Sequence, residues 1–428
     1  MTAIRRLRAA PRPVHGAVPV PGSKSIANRA LIIAALADGE STITGLPDGD
    51  DTVAMQHCLR GLGIGVEGDG ATAVVTGGGV PLRPTADLVH AALAGTTSRF
   101  VTALAALADR PVVVDGGPPL RARPMAELHD ALRTLGAGVE SRNGAGGLPV
   151  RIAGPLRHGG SVALRGDVSS QFVSALMMIG AALDGGLRLE LVSPLVSRPY
   201  VELTARVMAA FGLDGVEVDA NAIVVPQGRY RAIDYAIEPD ASSASYPLAV
   251  AAVAGGKVVV PGLTRRSLQG DIAIVDLLAA MGCDVVEPGE AIGIHRDPAV
   301  ALVGVDVDMA AVSDLVPTVA AVAVTASTAT TIRGVGFIRG KESDRLGDLA
   351  AELAHCGADV TVTGDGLRIE PAELHGACLD THHDHRLAMA FAVLGAAVDG
   401  IEITAPDVVT KSWPTFWQAY DRLVSTAA

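Results

Sequence analysis

A repeat of about 71 residues, present six times, constrains this chain more than any other feature. A helix that runs into glycine and then into a valine-rich strand recurs five times: LRGLGIGVE, LRTLGAGVE, MAAFGLDGVEV, LAAMGCDVVE and LAHCGADVTV. The glycines are Gly63, Gly136, Gly212, Gly282 and Gly357, spaced by 73, 76, 70 and 75 residues. Each reads as the left-handed residue that closes a helix. The alternation after it reads as a strand, with turns expected at Gly68-Asp69-Gly70 and Gly364-Asp365-Gly366. A second series runs out of phase. Six times a polar cluster opens a long Ala/Val/Leu helix: SKSIANRALIIAALA, AGTTSRFVTALAALA, VSSQFVSALMMIGAAL, DASSASYPLAVAAVA, VSDLVPTVAAVAVTA and DHRLAMAFAVLGAAV. Equivalent positions in them are Ala30, Phe100, Phe172, Pro247, Pro317 and Leu387, spaced by 70, 72, 75, 70 and 70 residues.

These six helices are apolar on nearly every face, so they must be buried. Each repeat also carries a second, amphipathic helix, as over residues 271–281 and 344–355, and several strands. The expected architecture is α/β, with two globules of three repeats each and sheets around buried helices. The break between them is expected near residues 230–238. The alternative is a solenoid of stacked repeats used for binding. The mean hydropathy of +0.37 comes from Ala, Val, Leu and Gly. The longest apolar run, residues 309–326, is broken by Ser313, Asp314 and Pro317, so no membrane span is expected. A net charge of −12 with 3% aromatics gives neither a basic patch nor stacking platforms for nucleic acid. Four scattered cysteines form no CxxC pair, which argues against a zinc or redox motif and suits a reducing cytosol. The basic start, MTAIRRLRAAPRP, has no apolar signal core and reads as an ordinary exposed terminus.

The polar clusters carry the chemistry. A helix N-terminus presents partial positive charge and unpaired N–H groups. Caps account for Thr96, Ser169, Ser242 and Ser243 there. They do not account for Lys24, Arg29, Arg99 and Arg386, cations within about a turn of helix starts, where the dipole disfavours them. A bound anion reverses that balance, because N–H groups, dipole and guanidinium then act on it together. Six such helix starts gathered in one region would make a site for small phosphates or carboxylates. Further cations flank the same repeat positions: Arg121 and Arg123, Arg198, Arg339, Lys341 and Arg345, and Lys411. PGSKS fails the P-loop pattern because Ser23 separates Gly22 from Lys24. The run THHDHR (His382, His383, Asp384, His385) lacks the spacing of a helical metal site, and no metal is expected.

Eight motifs hold these residues in order: PGSKSIANRALIIAALADG, DGGPPLRARPMAELHDAL, GDVSSQFVSALMM, LVSRPYVEL, DASSASYPLA, GKESDRL, DHRLAMAF and TKSWPTFW. Together they resemble the 3-phosphoshikimate 1-carboxyvinyltransferase (5-enolpyruvylshikimate-3-phosphate synthase) family over residues 21–423. The resemblance implies two inside-out α/β barrel-like domains, each of three βαβαββ repeats. It implies a first domain at residues 22–236 and a second at 237–428, joined by residues 1–21. Helix N-termini would face a cleft between them. The implied reaction joins phosphoenolpyruvate to the 5-hydroxyl of shikimate 3-phosphate through a tetrahedral intermediate and releases phosphate. By resemblance, Lys24, Ser25, Arg29, Ser169, Ser170, Gln171, Ser197, Tyr200, Asp314 and Lys341 hold shikimate 3-phosphate. Lys24, Gly95, Arg123, Gln171, Arg345, Arg386 and Lys411 hold phosphoenolpyruvate. Asp314 resembles the base on the hydroxyl, and Glu342, with Lys24, the proton donor to the enol carbon. The family further implies a cytoplasmic monomer with no cofactor and no partner beyond the two small substrates.

On residue type alone, Asp314 reads as a helix cap ahead of Pro317 and Glu342 as a surface ion pair with Arg345. The matched motifs assign them their roles instead. There are departures from the family pattern. Leu93-Ala94-Gly95-Thr96 replaces an Asn-Ala-Gly-Thr loop, Ser98 and Phe100 replace a Met and a Pro, and Phe337 replaces a polar residue near the sugar phosphate. Gly95 is kept, which leaves room for the inhibitor glyphosate. The sister family, UDP-N-acetylglucosamine 1-carboxyvinyltransferase, typically carries a cysteine on a loop that corresponds to residues 115–124, where this chain has none. A noncatalytic repeat protein would tolerate loss of the carboxylates and cations, yet all are present.

Overall fold

Five repeats fold as strand, helix, strand, helix, strand, strand, and the sixth, among the described residues, has one strand fewer. A computed structural model describes residues 3–10, 13–68, 70–142 and 146–425. In the second repeat, strand Leu88–His90 leads into helix Gly95–Ala105, strand Val112–Asp115, helix Ala126–Thr134 and strands Gly138–Ser141 and Val150–Ala153. The first two strands pair in parallel, since the buried helix carries the chain back across the sheet. The others pair antiparallel, to give a four-stranded sheet. The third repeat, from His158–Leu164 to Ala222–Val225, has the same order.

The chain divides into two compact units: Gly22–Ile237, and Glu238–Ala428 with Met1–Pro21. Each is permuted. The first repeat begins with helix Lys24–Leu36 and takes its first strand from Tyr235–Ala236, parallel to Asp38–Thr44. In the other unit, Val14–Ala17 supplies the first strand of the fourth repeat, parallel to Gly256–Pro261. Ile4–Arg6 pairs antiparallel with Glu402–Thr404 of the sixth. The start is therefore not the exposed terminus that its basic composition suggests. Leu7 and Ala10 are buried, Arg5 forms an ion pair with Asp421, and its guanidinium lies over Trp417. Strand pairing, two buried apolar side chains and the contacts of Arg5 outweigh the solvation of a basic segment.

The six apolar helices form the cores. In Ala241–Ala254 every residue except Ser242 is buried, and all of Val316–Ala323 is. In each unit the first and third of these helices touch as well as the neighbours. That closes the unit on itself and rules out a solenoid, in which each repeat meets only its neighbours. The amphipathic helix expected over 344–355 begins at Gly347, because the Asp344 carboxylate accepts from the Leu346 and Gly347 N–H groups. That over 271–281 is a 3₁₀ turn, Gly270–Ala273, followed by Ile274–Ala280. Among the described residues, no helix is long and apolar enough to cross a membrane. Asp69, in one expected turn, lies outside the described residues.

All five repeat glycines stand one past the helix cap with positive φ, from 84° to 105°. Each closes a double hydrogen-bonded helix end: Gly63 N–H donates to Arg60 and Ile64 N–H to Leu59, and so in the other four. The five sites differ in the room beside them. A Cβ on Gly63 would sit 2.0 Å from the Arg83 carbonyl, whereas one on Gly136 would meet nothing within 4 Å. Gly136→Ala should therefore lose only the left-handed penalty, about 1–2 kcal/mol. Gly63→Ala should lose clearly more in a urea unfolding series; equal losses would mean that backbone conformation alone decides.

Candidate active site

Polar side chains collect at the starts of the buried helices, in one cluster per unit. In Gly22–Ile237, Ser23 caps Lys24–Leu36 by accepting from the Ile26 N–H. Lys24 Nζ lies 3.0 Å from the carboxylate of Asp51, which is buried in the first turn of Asp50–Gly61. Arg29, 2% exposed, donates to Thr204 Oγ1 (2.7 Å), Ser174 Oγ (3.1 Å) and the carbonyls of Ser25 (2.7 Å) and Tyr200 (3.1 Å). None of those partners is charged, and burial lowers its pKa to about 10. Ser197, beside Tyr200, starts helix Arg198–Ala210 with φ 52°, a conformation that costs on the order of 1 kcal/mol for a residue with a Cβ.

The second and third helix starts meet in the same unit. Gln171 Nε2 donates to Thr96 Oγ1 at 3.1 Å, and Ser169 caps the Ser170–Gly180 helix through the Gln171 N–H. Gly95 opens Gly95–Ala105 beside two guanidinium groups. A Cβ there would lie 2.5 Å from Arg123 Nη1 and 2.9 Å from Arg99 Nη1. Leu93 is half exposed beside this loop, and Phe100 lies buried under Arg29, 5.3 Å from ring centre to guanidinium. Of the four expected caps only Ser169 serves. Thr96 holds Gln171, Ser242 bonds Asp271, and Ser243 gives its N–H to the true cap, Asp240.

The cluster in Glu238–Ala428 is built on Arg345, 2% exposed. Its Nε donates to Asp384 (2.7 Å), Nη1 to Asp314 (3.1 Å), and Nη2 to Glu342 (2.7 Å) and again to Asp384 (3.2 Å). One guanidinium thus holds both carboxylates expected to move protons. Arg386 Nη2 reaches Asp314 at 2.7 Å, Lys341 Nζ stands 3.9 Å from it, and Lys411 Nζ lies 3.3 Å from Glu342. Neither carboxylate fits its simplest reading. Asp314, in the turn Ser313–Leu315, makes no cap bond, and Glu342 pairs with a buried Arg345 from a partly buried position rather than from the open surface. Phe337 packs against the core with Lys341 Nζ 5.9 Å from its ring.

Burial alone would raise the Asp314 pKa, but Arg386, Lys341 and Arg345 outweigh it and hold the carboxyl well below the usual range. Asp271 goes the other way. Buried and near the charge of Asp314, it is raised to about 6. Thus one carboxyl here stays ionised while its neighbour readily takes a proton, the kind of split that acid–base sites use.

Sequence reasoning missed Asp51, Asp271 and the pair Ser174 and Thr204, and read Asp384 only as part of a histidine run. Asp384 has no exposed side-chain surface; it caps His385–Ala397 and anchors Arg345. The signal for Asp384 was its place immediately before a buried helix that carries a cation; for the others it was weaker. Among the described residues, no group of three or more His, Cys, Asp and Glu is arranged to hold a metal ion. Asp384→Ala should leave Arg345 buried with its main anion gone and cost about 3–5 kcal/mol in denaturant unfolding. A loss below about 1 kcal/mol would mean that Asp314 and Glu342 suffice to hold the guanidinium.

Comparison with known proteins agrees over the whole length. Residues 9–420 match the family described as EPSP synthase (3-phosphoshikimate 1-carboxyvinyltransferase). A 3-phosphoshikimate 1-carboxyvinyltransferase of Nostoc sp. is 41% identical over 421 residues, 96% of this chain and 97% of that one. The protein of that name from Methanoculleus marisnigri is 43% identical over 409 residues, 95% of this chain and 96% of its own. A solved structure of EPSP synthase from Acinetobacter baumannii superposes with a TM-score of 0.81 at 27% identity, covering 99% of this chain and 98% of that one.

Proposed function

Since the chain belongs to the EPSP synthase family, we propose that it transfers the enolpyruvyl group of phosphoenolpyruvate to the 5-hydroxyl of shikimate 3-phosphate and releases phosphate. The observation that carries this reading is the Arg345 cluster, where two carboxylates able to move protons are held by cations able to bind phosphate. Lys24, Ser25, Arg29, Ser169, Ser170, Gln171, Ser197, Tyr200, Asp314 and Lys341 hold shikimate 3-phosphate. Lys24, Gly95, Arg123, Gln171, Arg345, Arg386 and Lys411 hold phosphoenolpyruvate. The enzyme works as a cytosolic monomer in the shikimate pathway on these two small substrates, by side-chain chemistry.

Asp314 takes the proton of the 5-hydroxyl as that oxygen attacks C2 of phosphoenolpyruvate. Glu342, with Lys24, protonates C3, which becomes a methyl group. The product of this step is a ketal phosphate. Phosphate then leaves from C2, and Glu342 takes a proton back from the methyl group to restore the double bond. The cations balance charge on carboxylate and phosphate throughout.

The low pKa of Asp314 looks unsuited to a base, yet its cause supplies the remedy. The cations that depress it are those expected to hold substrate anions. When a phosphate or carboxylate draws on Arg386, Arg345 or Lys341, Asp314 loses part of their field and its proton affinity rises. Basicity is then tied to occupancy of the site.

Phosphate release from phosphoenolpyruvate should need shikimate 3-phosphate as acceptor, and UDP-N-acetylglucosamine should not replace it. Asp314→Asn should lower kcat about 10²- to 10⁴-fold, as expected on loss of a general base. Release with the nucleotide sugar alone would move the chain to the sister reaction, and silence with both acceptors would defeat the assignment. In Gly95→Ala, the added methyl displaces Arg123 and Arg99. KM for phosphoenolpyruvate should rise on the order of tenfold, more than kcat falls; an unchanged KM would take Gly95 and Arg123 out of that substrate's site.

A further inference from the structure

The turn that delivers Asp384 and Arg386 is held in an unfavourable shape. His382 and His383 are consecutive and both left-handed, with φ 48° and 57°. Neither is glycine, so the local backbone preference opposes this turn and something else must hold it. The holding contacts converge on one buried carboxylate. Glu352, its side chain 6% exposed, accepts from His382 Nε2 at 2.9 Å on one oxygen and from the Asp380 N–H at 3.0 Å on the other. Asp380 Oδ1 accepts the His382 N–H at 2.8 Å, and the Asp384 N–H closes the turn onto the Thr381 carbonyl.

Position gives these contacts their meaning. Glu352 lies on helix Gly347–His355, which begins two residues after Arg345. His382 stands two residues before Asp384, which binds Arg345, and four before Arg386, which binds Asp314. The Glu352–His382 bond therefore ties together the two segments whose arginines organise the site. We propose that Glu352 and His382 form a clasp that positions Arg345 and Arg386 for phosphoenolpyruvate, and that the clasp is tight only while His382 carries its proton. Neither residue touches the reacting groups; both act through Asp384. The inference rests on the proposed reaction for its substrate.

The groups facing His382 are Glu352 and, at 3.9 Å, Asp348 from the same helix, and Asp380 from its own turn; His355 faces the second Glu352 oxygen at 3.3 Å. Burial lowers the affinity of His382 for its proton, and the three carboxylates more than reverse this, so it stays charged above the usual imidazole value of 6.5. The sign follows. A group with a raised folded-state pKa contributes fully below its unfolded value, and that contribution fades as pH rises through the folded one. The clasp should loosen on the alkaline side.

The test compares wild type with His382→Gln, whose amide can still donate to Glu352 but cannot titrate. KM for phosphoenolpyruvate is measured from pH 6 to 9, and Kd without acceptor by calorimetry. Each variant value is divided by the wild-type value at the same pH, which cancels the ionisation of the substrate. The ratio should be about two to five near pH 6, as for one partly exposed ion pair, and fall to about one near pH 9, with kcat ratios flat. A ratio that does not change with pH overturns the proposal, even if the variant melts at a lower temperature, because a merely structural role would leave the ratio flat. Glu352→Gln should show the same convergence. If wild type fails to turn over with shikimate 3-phosphate, the proposed reaction falls on that result alone, and the calorimetric ratio still decides the clasp.

Discussion

One buried guanidinium, that of Arg345, fixes the chemistry of the second unit. It meets Asp384, Asp314 and Glu342 at hydrogen-bonding distance while almost fully removed from water. Burying a charged pair with two more carboxylates largely shielded from water is a poor way to gain stability, because desolvation takes back much of what Coulomb attraction supplies. An apolar cluster of similar volume would serve a core at least as well. The arrangement makes sense if these carboxylates must be placed to within tenths of an ångström and kept ionised. A bidentate grip on Asp384, itself fixed as the cap of His385–Ala397, provides the rigid end of that placement.

The surrounding fold explains how charges can be buried at all. The core helices are apolar along their length, so their sides pack into one another and leave only their starts polar. Asp384 and Arg386 sit at the start of such a helix, Lys24, Gly95 and Gln171 in the first turn of others, and Arg29 one turn further in. In the first five repeats the second helix ends in the same glycine-closed turn, which sends the chain into the outer sheet at a fixed angle. Repetition thus brings helix starts to equivalent places, and divergence within those starts distributes roles among them.

The legible part of the sequence was the periodic part. Glycine spacing, apolar helices and strand alternation are local signals, and the elements they predicted are present with shifts of a few residues. The permutation was not legible from periodicity. The two short strands Tyr235–Ala236 and Ile4–Arg6 join sheets far along the chain, and three residues of Ile-Arg-Arg carry no alternation to betray a strand. At the candidate site, residue types and motifs named the cations and the two carboxylates, and folding sets Asp314 and Glu342 beside Arg345, Arg386, Lys341 and Lys411. Their partners were hidden because partnership is tertiary. Asp51 is one acid among 46 until folding sets it 3.0 Å from Lys24. Asp384 reads in the sequence only as part of a histidine run without metal-site spacing, and its burial against Arg345 appears only on folding.

The two clusters differ in how their arginines are compensated, and that difference divides the labour. Arg29 spends its donors on two hydroxyls and two carbonyls, all neutral, and burial has already weakened its hold on its proton. A cation so placed gains much from an anionic ligand, since nothing of opposite charge need be displaced first. Arg386 is already committed to Asp314, so an anion that binds it must take it from that carboxylate. Binding is strongest where the cation is uncompensated, and binding does chemical work where it is compensated, because the displaced carboxylate becomes the stronger base. In the proposed addition of an alcohol to an enol phosphate, the first kind of arginine would hold the acceptor, and the second, captured by substrate, would ready the proton transfer.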